Sequence, residues 1–152
     1  MEGVVVLTGG QRVNAQYTYD VQDRRTSKTV DGVTERYTWE GNNLIEVRDA
    51  QGTVTKRFIY GAGIDEPIVM QTPWGDFYYT QDGLGSVSEI TDWLGEVLES
   101  YRYDAFGNTK IYGPGNTQID ASAMSNPFGF TGRERDLETG LYYYRARYYN
   151  ST

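Results

Sequence analysis

The 152-residue sequence contains no cysteine and no histidine. Those two absences remove disulfide frameworks, thiolate zinc sites, thiol nucleophiles and every histidine-assisted triad. Basic residues are the minority charge: 14 of them lie scattered among 21 acidic ones, for a net charge of −7. A chain with no basic stripe offers no surface from which counterion release would drive binding to a phosphate backbone, so nucleic acid is not expected as a partner. Long hydrophobic runs are missing as well. The longest aliphatic stretch is Val4-Val5-Val6-Leu7, far short of the ~20 residues a membrane helix needs, and no targeting segment precedes it.

What the chain has in quantity is aromatic rings, with 14 Tyr, 5 Phe and 3 Trp, so tyrosine takes over the packing role that leucine usually fills. The rings recur in a pattern. One aromatic-acid signature appears five times, as Tyr17-Thr18-Tyr19-Asp20, Tyr37-Thr38-Trp39-Glu40, Phe58-Ile59-Tyr60-Gly61, Tyr79-Thr80-Gln81-Asp82 and Tyr101-Arg102-Tyr103-Asp104, with last residues 20, 21, 21 and 22 apart. A period in this range marks an architecture whose units cannot bury an apolar face alone and must lean on their neighbours.

Within each unit, alternating Tyr, Val, Thr and Ile read as two strands separated by glycine-bearing turns. Asp31-Gly32 stands where a two-residue hairpin turn requires positive φ. Turns recur at Ala50-Gln51-Gly52, Pro73-Trp74-Gly75 and Asp92-Trp93-Leu94-Gly95. The reading is an all-β protein of consecutive antiparallel hairpins, about twelve to fourteen strands, forming a curved, spiralling sheet or partial shell. In a strand, residues two apart share a face, so the paired signature rings are expected to stack from unit to unit as an aromatic ladder. The acid that ends each signature is expected to cap the following turn. Gly113 to Asn126 reads as a long surface loop with one helical turn near Ala121 to Met124, and Leu141 to Tyr149 as a final strand.

Residues 78 to 150 carry a more specific likeness. Asp82-Gly83-Leu84-Gly85-Ser86-Val87, Ile90-Thr91-Asp92 and Tyr101 to Asn108, followed by Asn126-Pro127-Phe128-Gly129-Phe130-Thr131-Gly132-Arg133-Glu134 and Glu138-Thr139-Gly140-Leu141-Tyr142-Tyr143-Tyr144-Arg145-Ala146-Arg147-Tyr148-Tyr149, resemble the Rhs repeat-associated core domain. The more degenerate units of residues 1–77 resemble the YD repeats that precede that core, so 1–77 and 78–152 are expected to form one continuous structural unit. The resemblance implies a secreted or cell-surface β shell that encloses a C-terminal toxin polypeptide. Two positions depart from the family pattern. Gly83 stands where a histidine is usual, and the sequence ends at Asn150-Ser151-Thr152, before the Asp-Pro motif of the family's self-cleavage. No catalytic residue is therefore carried over, and the expectation is a non-enzymatic structural module.

The signature positions Tyr17, Tyr19, Asp20, Tyr37, Trp39, Glu40, Phe58, Tyr60, Gly61, Tyr79, Asp82, Tyr101, Tyr103 and Asp104 are thus structural candidates. Trp74 and Trp93, at expected turn tips, are candidate platforms for sugar rings, which makes a carbohydrate-binding module the rival reading. A fragment of a self-cleaving toxin carrier is the third. Asp65-Glu66 and Asp136 with Glu138 lack the alternating oxygen ligands of a calcium loop and read as solvated surface. The run Arg133-Glu134-Arg135-Asp136 reads as surface ion pairs, and Arg145 and Arg147 as packing on tyrosines. Neither a cofactor nor a metal is implied. The expected partners are further copies or adjoining repeats joined edge to edge, an enclosed toxin polypeptide, and glycans.

Overall fold

The computed structural model describes the backbone of residues 2–8 and 11–151, and side chains from residue 13 onward. The first sheet runs through β1 (Glu2–Thr8), β2 (Gln11–Tyr19), β3 (Arg25–Val30), β4 (Val33–Glu40), β5 (Asn43–Arg48), β6 (Val54–Tyr60), β7 (Pro67–Thr72), β8 (Gly75–Gln81), β9 (Val87–Thr91), β10 (Val97–Tyr103), β11 (Thr109–Gly113) and β12 (Thr117–Ile119). Every strand pairs antiparallel with its neighbours in chain order, giving one 12-stranded meander with no crossover. A second, three-stranded sheet is built from β13 (Glu134–Arg135), β14 (Tyr142–Tyr143) and β15 (Tyr148–Tyr149). No α-helix occurs among the described residues, and none of their helices is long and apolar enough to cross a membrane.

The turns explain the meander. At Asp31-Gly32 both residues have positive φ (48° and 87°), and Val30 pairs directly with Val33, as a two-residue hairpin requires. The wider turns are held by aspartate. Asp20, Asp49, Asp82, Asp92 and Asp104 each present Oδ1 to the backbone N–H groups two and four residues on, at 2.8–3.0 Å. Acceptance from two donors by one carboxylate oxygen closes the turn without help from the rest of the molecule. The Phe58 unit, which has Gly61 in place of an acid, borrows a carboxylate from further along: Glu66 Oε2 accepts from Gly63 N–H at 2.7 Å. Glu40 lies in a tight hairpin and pairs with Asn43.

The five signatures fall on the even strands β2, β4, β6, β8 and β10, with both ring positions on one face. Directly opposite them on the odd strands are two inward slots per unit. The first ring faces Lys28, Val47, Met70, Ile90 and Ile111 in successive units, and the second position faces Arg25, Leu44, Pro67, Val87 and Thr109. Leu44, Val47, Phe58, Met70, Tyr79, Val87, Ile90, Tyr101, Ile111 and Phe128 form the buried core, each such side chain contributing ~1.5–3 kcal/mol by its removal from water.

The expected ladder of stacked signature rings does not form. An odd strand always intervenes, so successive signature strands lie about 10 Å apart, beyond the 4.5–7 Å at which ring pairs interact. The second-position side chain spans that gap differently. Trp39 Nε1 donates to Arg25 O at 2.7 Å, Tyr60 OH to Leu44 O at 3.0 Å, Gln81 Nε2 to Asp65 O at 3.2 Å and Tyr103 OH to Val87 O at 2.7 Å. Each unit is thereby tied to a backbone carbonyl of the unit before it.

The C-terminal third also departs from the sequence reading. Gly113 to Asn126 contains β12 and a 3-10 turn at Pro114–Asn116, and the expected final strand is a hairpin of two-residue strands bent at Arg145, whose φ is 62°.

Candidate functional site

Residues 120 to 151 form a strap that lies across the inner face of the large sheet and supplies the ring contacts the signatures do not make among themselves. Phe128 sits edge-on to Phe58, Tyr60 and Tyr79 at centroid distances of 4.9, 6.1 and 6.0 Å. Phe130 meets Tyr103, Tyr143 meets Tyr19 and Trp39, and Tyr148 meets Tyr17. Asn126 satisfies two signature hydroxyls with one amide, accepting from Tyr79 OH at 2.8 Å and donating to Tyr101 OH at 3.1 Å. The buried Glu99 of β10 accepts from Ser122 Oγ and from the N–H groups of Ala123 and Met124, and this fixes the start of the strap.

Charge holds the other end. Arg25 is almost wholly buried, and its Nη1 donates to both oxygens of Asp136 at 2.8 and 2.6 Å while Nη2 donates to Glu134 at 3.0 Å. Lys28 lies 3.4 Å from both Asp136 and Glu138, and Tyr17 OH donates to Glu138 at 2.9 Å. The Arg25 guanidinium also lies over the rings of Tyr17, Tyr37 and Tyr143 at 4.7–5.5 Å. Burial drags the Arg25 pKa down, but Asp136 and the neighbouring acids outweigh it and hold it well above the usual value. Glu134 shows the opposite balance: burial raises its carboxyl pKa more than Arg25 lowers it. Burial likewise pushes the Tyr143 hydroxyl up to about 12.

This arrangement corrects three sequence expectations. Arg133 to Asp136 is a buried ionic seam, since Glu134 and Asp136 are both in the interior. Asp65 is not solvated surface, because its two oxygens bind Arg133 and Arg145 at 2.7 Å each. Arg145 is thus an ion-pair partner, and the cation–π contacts of the described residues belong to Arg25, Arg102 and Arg133. Sequence reasoning missed the seam, although a signal existed. In the repeat alignment Arg25 and Lys28 occupy slots that later units fill with Leu44 or Val87 and with Val47, Met70 or Ile90. Two cations in apolar slots call for anions from elsewhere in the chain.

Beside the seam lies a cleft of about 240 Å³ lined by Lys28, Glu35, Lys56, Ser122 and Glu138 among others. Lys28 and Lys56 are matched there by Glu35, Asp136 and Glu138, while Arg135 lines the same cleft with a buried Nε that lacks a hydrogen-bond partner; no group of acids among the described residues has the arrangement of a metal site. Trp74 and Trp93 stand apart from it, 86% and 76% exposed at the tips of the β7–β8 and β9–β10 turns. Asp20, Asp82 and Asp104 are consumed by their turns, as expected, while Tyr17, Phe58, Tyr79 and Tyr101 are buried under the strap.

No protein-family model matches the chain. Among curated proteins it is 34% identical over 148 residues to the tRNA3(Ser)-specific nuclease WapA of Bacillus spizizenii, a match that covers 95% of this chain and 6% of that protein. It is 28% identical over 170 residues to toxin subunit YenC1 of Yersinia entomophaga, covering 95% of this chain and 16% of the subunit. Among solved structures, the TcdB2-TccC3-TEV crystal structure superposes with a TM-score of 0.66 at 20% identity, over 99% of this chain and 8% of the other. The Photorhabdus luminescens Tc holotoxin pore gives a TM-score of 0.65, also at 20% identity, with the same coverage. The chain therefore shares a fold with one short stretch of these much longer molecules.

Proposed function

The chain is a YD/Rhs-repeat segment of the kind found within large bacterial toxin proteins, and from that premise we propose that it is a non-enzymatic wall module. Its work is to extend a β strip edge to edge with further repeats and, in the longer assembly, to enclose a toxin polypeptide outside the cell or at its surface. Residues 1–77 act as degenerate repeats and 78–152 as the core-like end of the same unit. One observation carries this reading: a 12-stranded sheet runs without a crossover, and its signature residues are spent on turns and on the seam with the strap. Such a strip leaves backbone hydrogen-bonding groups at its lateral edges, and those groups favour pairing with another strand. Small-angle scattering together with sedimentation at rising concentration tests the proposal. An elongated or hollow envelope whose mass grows with concentration is expected; a dense sphere that stays monomeric would sink it.

A second reading is favoured by the exposure of Trp74 and Trp93, whose flat faces suit sugar rings. It requires glycan-dependent quenching of their fluorescence, and a flat titration removes it. The carrier reading rests on the small share of each relative that this chain spans. It stands or falls with whether the gene encodes the Asp-Pro motif downstream of Thr152.

A further inference from the structure

Because the meander has no crossover, its turns fall into two sets at opposite ends of the strands. The turns after the even strands make one rim, and those after the odd strands make the other. The even rim presents Val21, Ile64, Leu84 and Phe106, which keep 68–101% of their surface exposed. The odd rim presents Trp74 and Trp93 with Leu94 beside them, also largely exposed. These side chains have no structural role within their turns. The turns of Val21, Leu84, Trp93 and Phe106 are closed by aspartate caps, and that of Trp74 by Thr72. Ile64, Leu84 and Phe106 stand on consecutive even turns and Trp74 and Trp93 on consecutive odd turns, so within each run the tips recur at every second strand, about every 10 Å; Val21 is set apart by the Gly41-Asn42 turn.

We propose that the two rims are complementary contact surfaces and that a second copy of this chain docks on them, its even rim against the odd rim of the first. This rests on the wall reading and adds a lateral contact distinct from edge pairing. The two runs share one spacing, so Trp74 and Trp93 of one copy sit beside two neighbouring members of the Ile64, Leu84 and Phe106 run of the other. The contact is heterologous: a docked pair keeps one free rim of each kind, and growth continues rather than closing at a dimer. The available area sets its strength. Trp74, Trp93 and Phe106 can bury ~150–250 Å² apiece, which with the aliphatic tips reaches the lower end of the range for specific interfaces. Association is therefore weak and concentration-dependent in the isolated chain.

The test uses sedimentation velocity on two rim variants, Trp74→Ser with Trp93→Ser and Leu84→Ser with Phe106→Ser. All four side chains are exposed, and circular dichroism checks that the fold is kept. Each variant alone is expected to associate at least about tenfold more weakly than the parent, a loss of ~1.4 kcal/mol. Mixed together, they regain one intact pair of rims and form a species that stops at the dimer. A mixture that stays monomeric, or single variants that associate as the parent does, overturns the proposal. Val5→Lys with Leu7→Lys on the edge strand β1 separates it from edge pairing. If only that variant loses association, the wall reading stands and the rim contact fails. Quenching of Trp74 and Trp93 by oligosaccharides or by lipid vesicles without a change in mass also overturns it.

Discussion

The strip and the strap are stabilised by different physics. In the strip every contact is short in sequence: the wide turns after β2, β5, β8, β9 and β10 are capped by their own aspartates, each strand pairs with the next, and units are pinned to the one before by hydrogen bonds such as Tyr103 OH to Val87 O. In the strap the contacts that fasten it to the sheet are long. Arg25 reaches Asp136 across 111 positions and Tyr17 reaches Glu138 across 121. The strip supplies a regular surface that lacks a lid, and the strap supplies a lid that has almost no regular structure of its own. A repeat with one open face is soluble only when something covers that face, and here the cover is clamped by apolar rings in the middle and by ions at the first unit.

Arg25→Ala is expected to break this division most sharply. It leaves the buried Glu134 without its cation and Asp136 with only Lys28 at 3.4 Å, at a cost of about 3–5 kcal/mol. Hydrogen exchange would show residues 134–149 losing protection while β5 to β11 keep theirs. Uniform loss across both regions would mean that the strip does not stand without the seam.

Gly132→Ala strikes the same boundary from the strap side. Gly132 has φ of 69°, and an added Cβ would fall 2.2 Å from the backbone oxygen of Asp65. A left-handed non-glycine residue with a backbone clash costs about 2–3 kcal/mol. Asp65 would move, and its bridges to Arg133 and Arg145 would loosen with it. Chemical denaturation measures the loss; an unchanged midpoint would show that the seam tolerates displacement.

The contrast also accounts for what the sequence revealed. The hairpins were legible because Asp31-Gly32, Asp82 to Gly85 and Asp104 to Gly107 encode their turns locally. The exposed positions of Trp74 and Trp93 followed from the same turns. The ring ladder was misjudged because period and face are local properties, whereas which rings touch depends on the strand that intervenes. The strap was misjudged for a related reason: Tyr142 to Tyr149 has strand-like composition, but the backbone bends at Arg145 to bring Tyr143 onto Trp39 and Arg145 onto Asp65. Only Arg25 and Lys28, two cations in apolar slots of the repeat, carried advance notice of the buried acids.

Tyr103→Phe probes the strip with the strap left in place. It deletes one unit-to-unit hydrogen bond and leaves the ring against Phe130, so about 1 kcal/mol is lost. Urea midpoints of this variant and of Tyr60→Phe, which removes the equivalent bond to Leu44, should agree within error. A much larger loss at Tyr103 would make its role specific to the strap rather than a property of the repeat.

The smallest effect is a change in slope. The Glu134 carboxyl has its pKa raised by burial, against the pull of Arg25, so the folded chain binds a proton there more tightly than the unfolded chain does. Stability from this group is present at acid pH and falls as pH rises from the ordinary value of 4.5 through the raised one. Glu35, in the same cleft, runs the other way. Burial raises its pKa but Lys56 and Lys28 lower it further, so its contribution is present above the ordinary value and is lost as pH falls through the lowered one. Glu134→Gln keeps an acceptor for Arg25 and removes only the first of these slopes. The variant should therefore gain on the parent as pH increases through the Glu134 window and run parallel to it above, while the acid limb, to which Glu35, Asp20, Glu46 and Asp104 contribute, is unchanged. A constant offset at every pH would mean that Glu134 ionises as freely in the fold as in the unfolded chain, and that the seam is balanced by Asp136 alone.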